Sequence, residues 1–195
     1  MIDAEIDRAA ERIRAGGLVV YPTETVYGLG ADALDPAAIE RVFEAKGRSR
    51  SKPISLAVSD LDSVDEYARR SATERAFCEQ FLPGPVTVLL ERREPVPDVL
   101  VSGRDRVGIR LPDHEIALEL LERAGPLTAT SANRSGRPSA RRVADVDASI
   151  RETAVVLDGG ETPGTESTVV NVATGEIPRR GTLAGEIERW LQKRT

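Results

Sequence analysis

The 195-residue sequence has one cysteine, one histidine, one tryptophan and one methionine. A lone Cys78 excludes an internal disulfide framework and any zinc site built from several thiolates. It sits in Arg75-Ala76-Phe77-Cys78, on an expected helix, and reads as a small buried hydrophobe. A lone His114 leaves no His/Cys cluster for a transition metal, and a Ser-His-Asp triad would have no other histidine to use. His114 follows Pro112-Asp113 at an expected helix start, where a capping or surface role is the simpler reading. Long apolar runs are missing too. The longest, residues 18–20 and 86–90, fall far short of the ~20 residues of a membrane span. The opening Met1-Ile2-Asp3-Ala4-Glu5 lacks the basic and apolar regions of a secretory leader, so a cytoplasmic protein without membrane attachment is expected. A net charge of −5 excludes a generally basic, nucleic-acid-coating protein. Lysine is scarce: only Lys46, Lys52 and Lys193 among 27 basic residues. A GC-rich genome or a salt-adapted host explains that bias in bulk, and it makes each remaining lysine worth inspecting.

What is present reads as a mixed α/β chain. Ile2, Ile6, Ala9, Ala10 and Ile13 recur at helical spacing, and Gly16-Gly17 stops the helix. Residues 18–21 form an expected strand ended by Pro22. Asp35-Pro36 caps a second helix that carries Ile39, Val42 and Phe43 and ends at Gly47. Strands are expected at 54–58, 86–90, 107–111, 127–130, 154–157 and 167–172, and helices at 71–82, 114–124 and 183–191. No flexible linker or repeat divides the chain. One domain over residues 1–195 is expected, with a twisted, open, mixed sheet and flanking helices.

Positive charge is collected in four places. Residues 46–52 carry +4 without an acid, and residues 134–142 carry another +4. Arg104-Asp105-Arg106 with Arg110, and Arg179-Arg180, add +2 each, which leaves −17 for the rest of the chain. An acidic protein that gathers cations into polar, glycine-bearing loops is suited to hold an anion. Lys46, Arg48, Arg50 and Lys52 alternate, so an extended backbone would turn all four to one side, as a row fit for a polyphosphate. Complementing a helix C-terminus would account for one or two of these charges, not four. Thr130-Ser131-Ala132-Asn133 followed by Arg134-Ser135-Gly136-Arg137-Pro138-Ser139 joins hydroxyls, an amide and cations after a short strand. That is either a ligand-binding strand end or an ordinary turn.

Two familiar nucleotide motifs do not hold up. Gly28-Leu29-Gly30-Ala31-Asp32-Ala33 fits the dinucleotide fingerprint by letter, but the helix signal at Asp35-Pro36 comes too late. No P-loop is present. Collected cations and hydroxyls without an obvious nucleophile suit phosphoryl or nucleotidyl transfer, which depends on positioning and charge neutralisation.

The run Tyr21-Pro22-Thr23-Glu24-Thr25-Val26-Tyr27-Gly28-Leu29-Gly30 resembles the opening signature of the YrdC-type threonylcarbamoyl-AMP synthase family. Four further blocks match in order: Lys46-Gly47-Arg48 with Lys52-Pro53, Pro83-Gly84-Pro85-Val86-Thr87, Ser131-Ala132-Asn133 with Ser135-Gly136, and Glu166-Ser167-Thr168-Val169-Val170. The resemblance spans residues 10–190 and implies the short, single-domain type, with a positively charged concave cavity. It implies that L-threonine, bicarbonate or CO2, and ATP give threonylcarbamoyl-adenylate and pyrophosphate. A separate transferase would pass the threonylcarbamoyl group to the adenosine beside a tRNA anticodon, and tRNA contact is possible. By similarity, Lys46 and Arg48 are the catalytic cations. Lys46, Arg48, Lys52, Arg106, Ser131, Asn133, Ser139 and Arg179 would bind ATP. Thr25, Arg110 and Ser167 would hold threonine, with Arg110 pairing its carboxylate bidentately. Magnesium would travel with ATP, without a protein metal site or a permanently bound cofactor. Ala57 stands where some members carry histidine, Asn171 where aspartate is common, and Arg179-Arg180-Gly181 replaces Arg-Pro-Gly.

The rival reading is a non-catalytic double-stranded RNA or tRNA-binding module of the same fold. The net charge of −5 opposes broad phosphate binding, and an aromatic content of 4% opposes stacking on single strands. Carbamoyltransferases of hydrogenase maturation share the domain but are longer and rich in cysteine. A sheet-related riboflavin-pathway synthase would need acidic metal ligands in place of the lysine-arginine block.

Overall fold

The chain enters its sheet through a helix. In the computed structural model, α1 (Ile2–Arg14) buries Ile6, Ala9, Ala10 and Ile13, as their spacing predicts. The structure describes residues 2–193, so residues 1, 194 and 195 of the expected domain lie outside the described residues. The strands are β1 (Leu18–Tyr21), β2 (Gly28–Gly30), β3 (Ser55–Ala57), β4 (Ala68–Arg69), β5 (Val86–Arg92), β6 (Arg106–Arg110), β7 (Leu127–Ser131), β8 (Ala154–Val156), β9 (Thr168–Asn171) and β10 (Glu176–Arg179). They form one mixed sheet in the order β10-β9-β5-β6-β3-β7-β2-β1-β8, with β4 paired to β5. The remaining helices are α2 (Pro36–Lys46), α3 (Val64–Tyr67), α4 (Ala72–Phe81), α5 (Asp98–Val101), α6 (Glu115–Ala124), α7 (Ala148–Thr153) and α8 (Ala184–Gln192).

Local chemistry explains the boundaries. Asp35 caps α2 through the Ala37 N–H, and Gly47 ends it in the left-handed conformation that glycine adopts without a Cβ clash. Ser71 and Glu74 close a full capping box on α4. The Gly28–Gly30 segment is an antiparallel strand against β1, not a turn into a helix, which disposes of the dinucleotide reading.

Strand alternation sorts the core onto two faces. Leu18, Val20, Leu56, Val88, Leu90 and Ile109 join a large apolar cluster with Phe43 of α2 and Phe77 of α4. Trp190 of α8 closes on Phe77 edge-to-face at 5.0 Å. Val19, Tyr21, Ala57 and Leu127 face the other way, onto α1 and α6. Those two helices cover only part of this second face. Further along it, Thr87, Leu89, Arg110, Ala129 and Val169 line a cavity instead of a helix.

Leu56, on central β3, is fully buried. Leu56→Ala is expected to cost about 2–5 kcal/mol in denaturant unfolding, whereas Ile2→Ala on the exposed end of α1 should stay within about 0.5 kcal/mol.

Candidate active site

The cavity encloses about 530 Å³, within the roughly 300–1,000 Å³ usual for small-molecule sites. Small residues let neighbouring strands pack closely at its floor. A Cβ on Gly108 would come 2.6 Å from Ser55 Oγ and 3.0 Å from Thr87 Cγ2, and one on Gly28 would come 2.9 Å from the Tyr21 ring. Ala57, at the position where some relatives were expected to carry histidine, also lines the cavity. Five cations line the walls, Arg48, Lys52, Arg104, Arg110 and Arg179, against one carboxylate, Glu166.

Eight of the eleven expected site residues line this cavity: Thr25, Arg48, Lys52, Arg110, Ser131, Ser139, Ser167 and Arg179. Three do not. Lys46 is buried in the last turn of α2, and its ammonium donates to the Ser131 carbonyl and, at 2.7 Å, to the Asn133 carbonyl. It stands behind the wall and fixes the backbone that presents Ser131. The Asn133 amide donates to the carbonyls of Arg134 and Arg137, at 2.9 and 2.7 Å, and so shapes the following turn. Its Oδ1 is buried without a partner. Arg106 points away from the cavity, donating to the Leu89 carbonyl at 3.0 Å with Glu74 at 3.7 Å.

The expected one-sided row of cations is corrected by the structure. Residues 48–52 form a turn closed by the Lys52 N–H on the Ser49 carbonyl, so the alternation of an extended strand never applies. Arg50 swings out to Glu40 at 2.7 Å. Arg48 curls back over the turn, donating to the carbonyls of Lys52 and Pro53 at 3.1 and 2.9 Å. Of the adjacent Arg179 and Arg180, the first reaches the cavity, donating to the carbonyl and hydroxyl of Ser167 at 2.9 and 2.6 Å. Arg180 pairs with Glu188 outside.

Arg110 carries a different load from the one expected. One terminal nitrogen donates to the Gly84 and Val86 carbonyls, and the other to Glu24 Oε1 at 2.7 Å. A two-pronged grip on an incoming carboxylate therefore requires Glu24 to yield. Glu24 and Arg104 escaped the sequence reading as site residues. Glu24 was visible only as one letter of the signature, and Arg104 only as part of a charge count. The 162–165 loop is tied in place: the Thr162 and Gly164 N–H groups donate to the Arg141 and Thr25 carbonyls at 2.9 and 2.7 Å.

Burial lowers the pKa of Arg48, Arg110 and Arg179, and the charge of Arg179 adds to the effect on the other two. Burial, with Arg48 second, pulls Lys46 down to about 7. These like charges gather without a matching number of anions, an arrangement that favours an anionic ligand.

The Sua5/YciO/YrdC family model, described as "Telomere recombination", matches residues 11–181. The chain belongs to this family. It is 44% identical over 168 residues to a threonylcarbamoyl-AMP synthase of Pyrococcus abyssi, covering 84% of this chain and 49% of that protein. It is 40% identical over 188 residues to that of Bacillus subtilis, covering 90% and 52%. The chain thus spans about half the length of these relatives. The crystal structure of P. abyssi Sua5 complexed with L-threonine superposes with a TM-score of 0.86 at 41% identity, covering 94% of this chain and 56% of that one. The fold of that protein is therefore matched over nearly the whole of this chain.

Folded Lys46 releases its proton near pH 7, whereas an unfolded lysine does so near 10.5. The unfolded chain holds more protons between those values, so this group adds stability as pH rises through that window. Wild-type unfolding free energy should climb more steeply from pH 7 to 10 than that of Lys46→Met, by at most about 1.4 kcal/mol per pH unit. Parallel curves would refute the assignment.

Proposed function

We propose that the chain is an L-threonylcarbamoyladenylate synthase, a nucleotidyltransferase. The amine of L-threonine and CO2, supplied as bicarbonate, form a carbamate. A carbamate oxygen attacks the α-phosphorus of ATP, the bond to the β-phosphate oxygen breaks, and pyrophosphate leaves. The observation that carries this reading is the joining, in one cavity, of Arg48, Lys52 and Arg179 with Thr25, Arg110 and Ser167. The first set neutralises charge that builds on the phosphates and on the leaving pyrophosphate. The second flanks it with donors and acceptors sized for one amino acid. Ser131 and Ser139, on the loop that Lys46 steadies, would hydrogen-bond the nucleotide. The family membership and the threonine-bound relative support the same reading.

Magnesium would arrive on the ATP phosphates. The cavity offers one carboxylate, and among the described residues no group of three or more acidic, histidine or cysteine side chains could hold an ion. The adenylate would pass to a separate transferase acting on tRNA. No helix among the described residues is long and apolar enough to cross a membrane.

Pyrophosphate release from ATP is expected to require both L-threonine and bicarbonate, and threonine-independent turnover would defeat the proposal. Arg48→Ala should lose at least about tenfold in kcat/KM, about 1.4 kcal/mol of transition-state stabilisation, while Arg50→Ala should change little.

A further inference from the structure

Two hydroxyls at the cavity wall have a fixed direction of hydrogen bonding. Thr23 and Thr25 are both buried, and both line the cavity. The Thr23 hydroxyl lies 2.7 Å from the Val26 carbonyl, to which its single proton is donated. The same oxygen receives the N–H groups of Thr25 and Val26 at 3.2 and 3.3 Å. It also lies 2.9 Å from Thr25 Oγ1. With the Thr23 proton directed to Val26, Thr25 is assigned as the donor in that contact, which is shorter than the two N–H contacts with which it shares the Thr23 oxygen. Thr25 Oγ1 then has no proton left for a ligand and presents only lone pairs to the cavity.

We infer that Thr23 is a positioning residue which locks the Thr25 hydroxyl as an acceptor for the hydroxyl of the amino-acid substrate, and so sets the preference for threonine over valine. This inference rests on the proposed function. Threonine brings three polar groups: an anionic carboxylate, a cationic amine and a neutral hydroxyl. The cavity offers guanidinium groups for the first and one carboxylate, Glu166, for the second. Several neutral hydroxyls line the cavity, and Thr25, its own proton committed to Thr23, is a fixed acceptor for the third. Valine has the same shape and the same charged groups, so only a fixed hydrogen-bonding partner can tell it from threonine. A site that is built around a substrate hydroxyl rejects the analogue lacking it, because its own polar group is then left unpaired.

Calorimetry with the whole chain tests this, reading the ratio of L-threonine to L-valine affinity. ATP affinity serves as the control for an intact site. Thr23→Ser keeps the hydroxyl and should keep the ratio. Thr23→Val frees the Thr25 proton and should lower the ratio about three- to tenfold, with valine affinity and ATP affinity little changed. Should Thr23→Val fail to fold, Thr25→Val removes the acceptor itself and should abolish the preference, while Thr25→Ser retains it. A ratio unchanged in folded Thr23→Val or Thr25→Val overturns the inference, as does a wild-type chain that binds threonine and valine equally. Wild-type binding of ATP without any binding of threonine would instead overturn the proposed function.

Discussion

A buried ammonium holds the two halves of the candidate site together. Lys46 closes α2, and its Nζ is shared between the carbonyls of Ser131 and Asn133 at the end of β7. The tie runs in both directions, because the Ser135 N–H donates to the Lys46 carbonyl at 2.8 Å. Without it, the 47–53 turn that bears Arg48 and Lys52 and the 131–139 loop that bears Ser131 and Ser139 would have no common anchor. A lysine suits this position for a physical reason. Its compact head on a long stem points three donors at separate carbonyls, whereas a planar guanidinium is built to match one forked acceptor. Desolvating that charge is costly, and two carbonyls offset the cost only in part, which is why its proton is held loosely.

The other cations are managed by the same device. Arg48, Arg110 and Arg179 are each pinned by backbone carbonyls, and Arg179 also by the Ser167 hydroxyl. Each guanidinium is thereby fixed in place before any ligand binds. Pinning supplies geometry but little neutralisation, since a carbonyl is a dipole and not a counter-ion. Glu24, beside Arg110, is the exception, and even it leaves Oε2 buried without a partner. The electrostatic deficit this leaves is of the sign and place that a polyphosphate and a carboxylate would fill.

Much of the fold was legible in the sequence because it follows local rules. Helical spacing in residues 2–13, Asp35-Pro36 and Gly47 are read from neighbours within four positions. The short β2, with Gly28 and Gly30, carries no alternation to detect and is defined by the strands on either side. The site was legible as a list and not as an arrangement. Charge counting and family likeness named eight residues that do meet, but the direction of each side chain depends on partners far along the chain. Arg50 leaves the row because Glu40 is there to receive it, and Lys46 turns inward because two carbonyls some 85 residues on accept its protons. Arg106 looked equivalent to Arg104 in sequence, yet only Arg104 reaches the cavity.

The cavity is best understood as a part of the core that was left unfilled. On the face shared with α1 and α6, Leu127 is covered by helix, and small strand residues, Gly28, Ala57 and Ala129, line the cavity beside it. A larger residue at Gly108 would strike Ser55 and Thr87, two of the residues that line the cavity. Charge is then gathered at the strand ends, with Arg110 and Arg179 closing β6 and β10 and Arg48, Lys52 and Arg104 on loops, and apolar packing continues on the opposite face. Separating the two tasks lets the sheet be stabilised by one side while the other stays open. It also means that cations which repel one another need not weaken the core, because they are held by carbonyls at the strand ends and not by the packing beneath them.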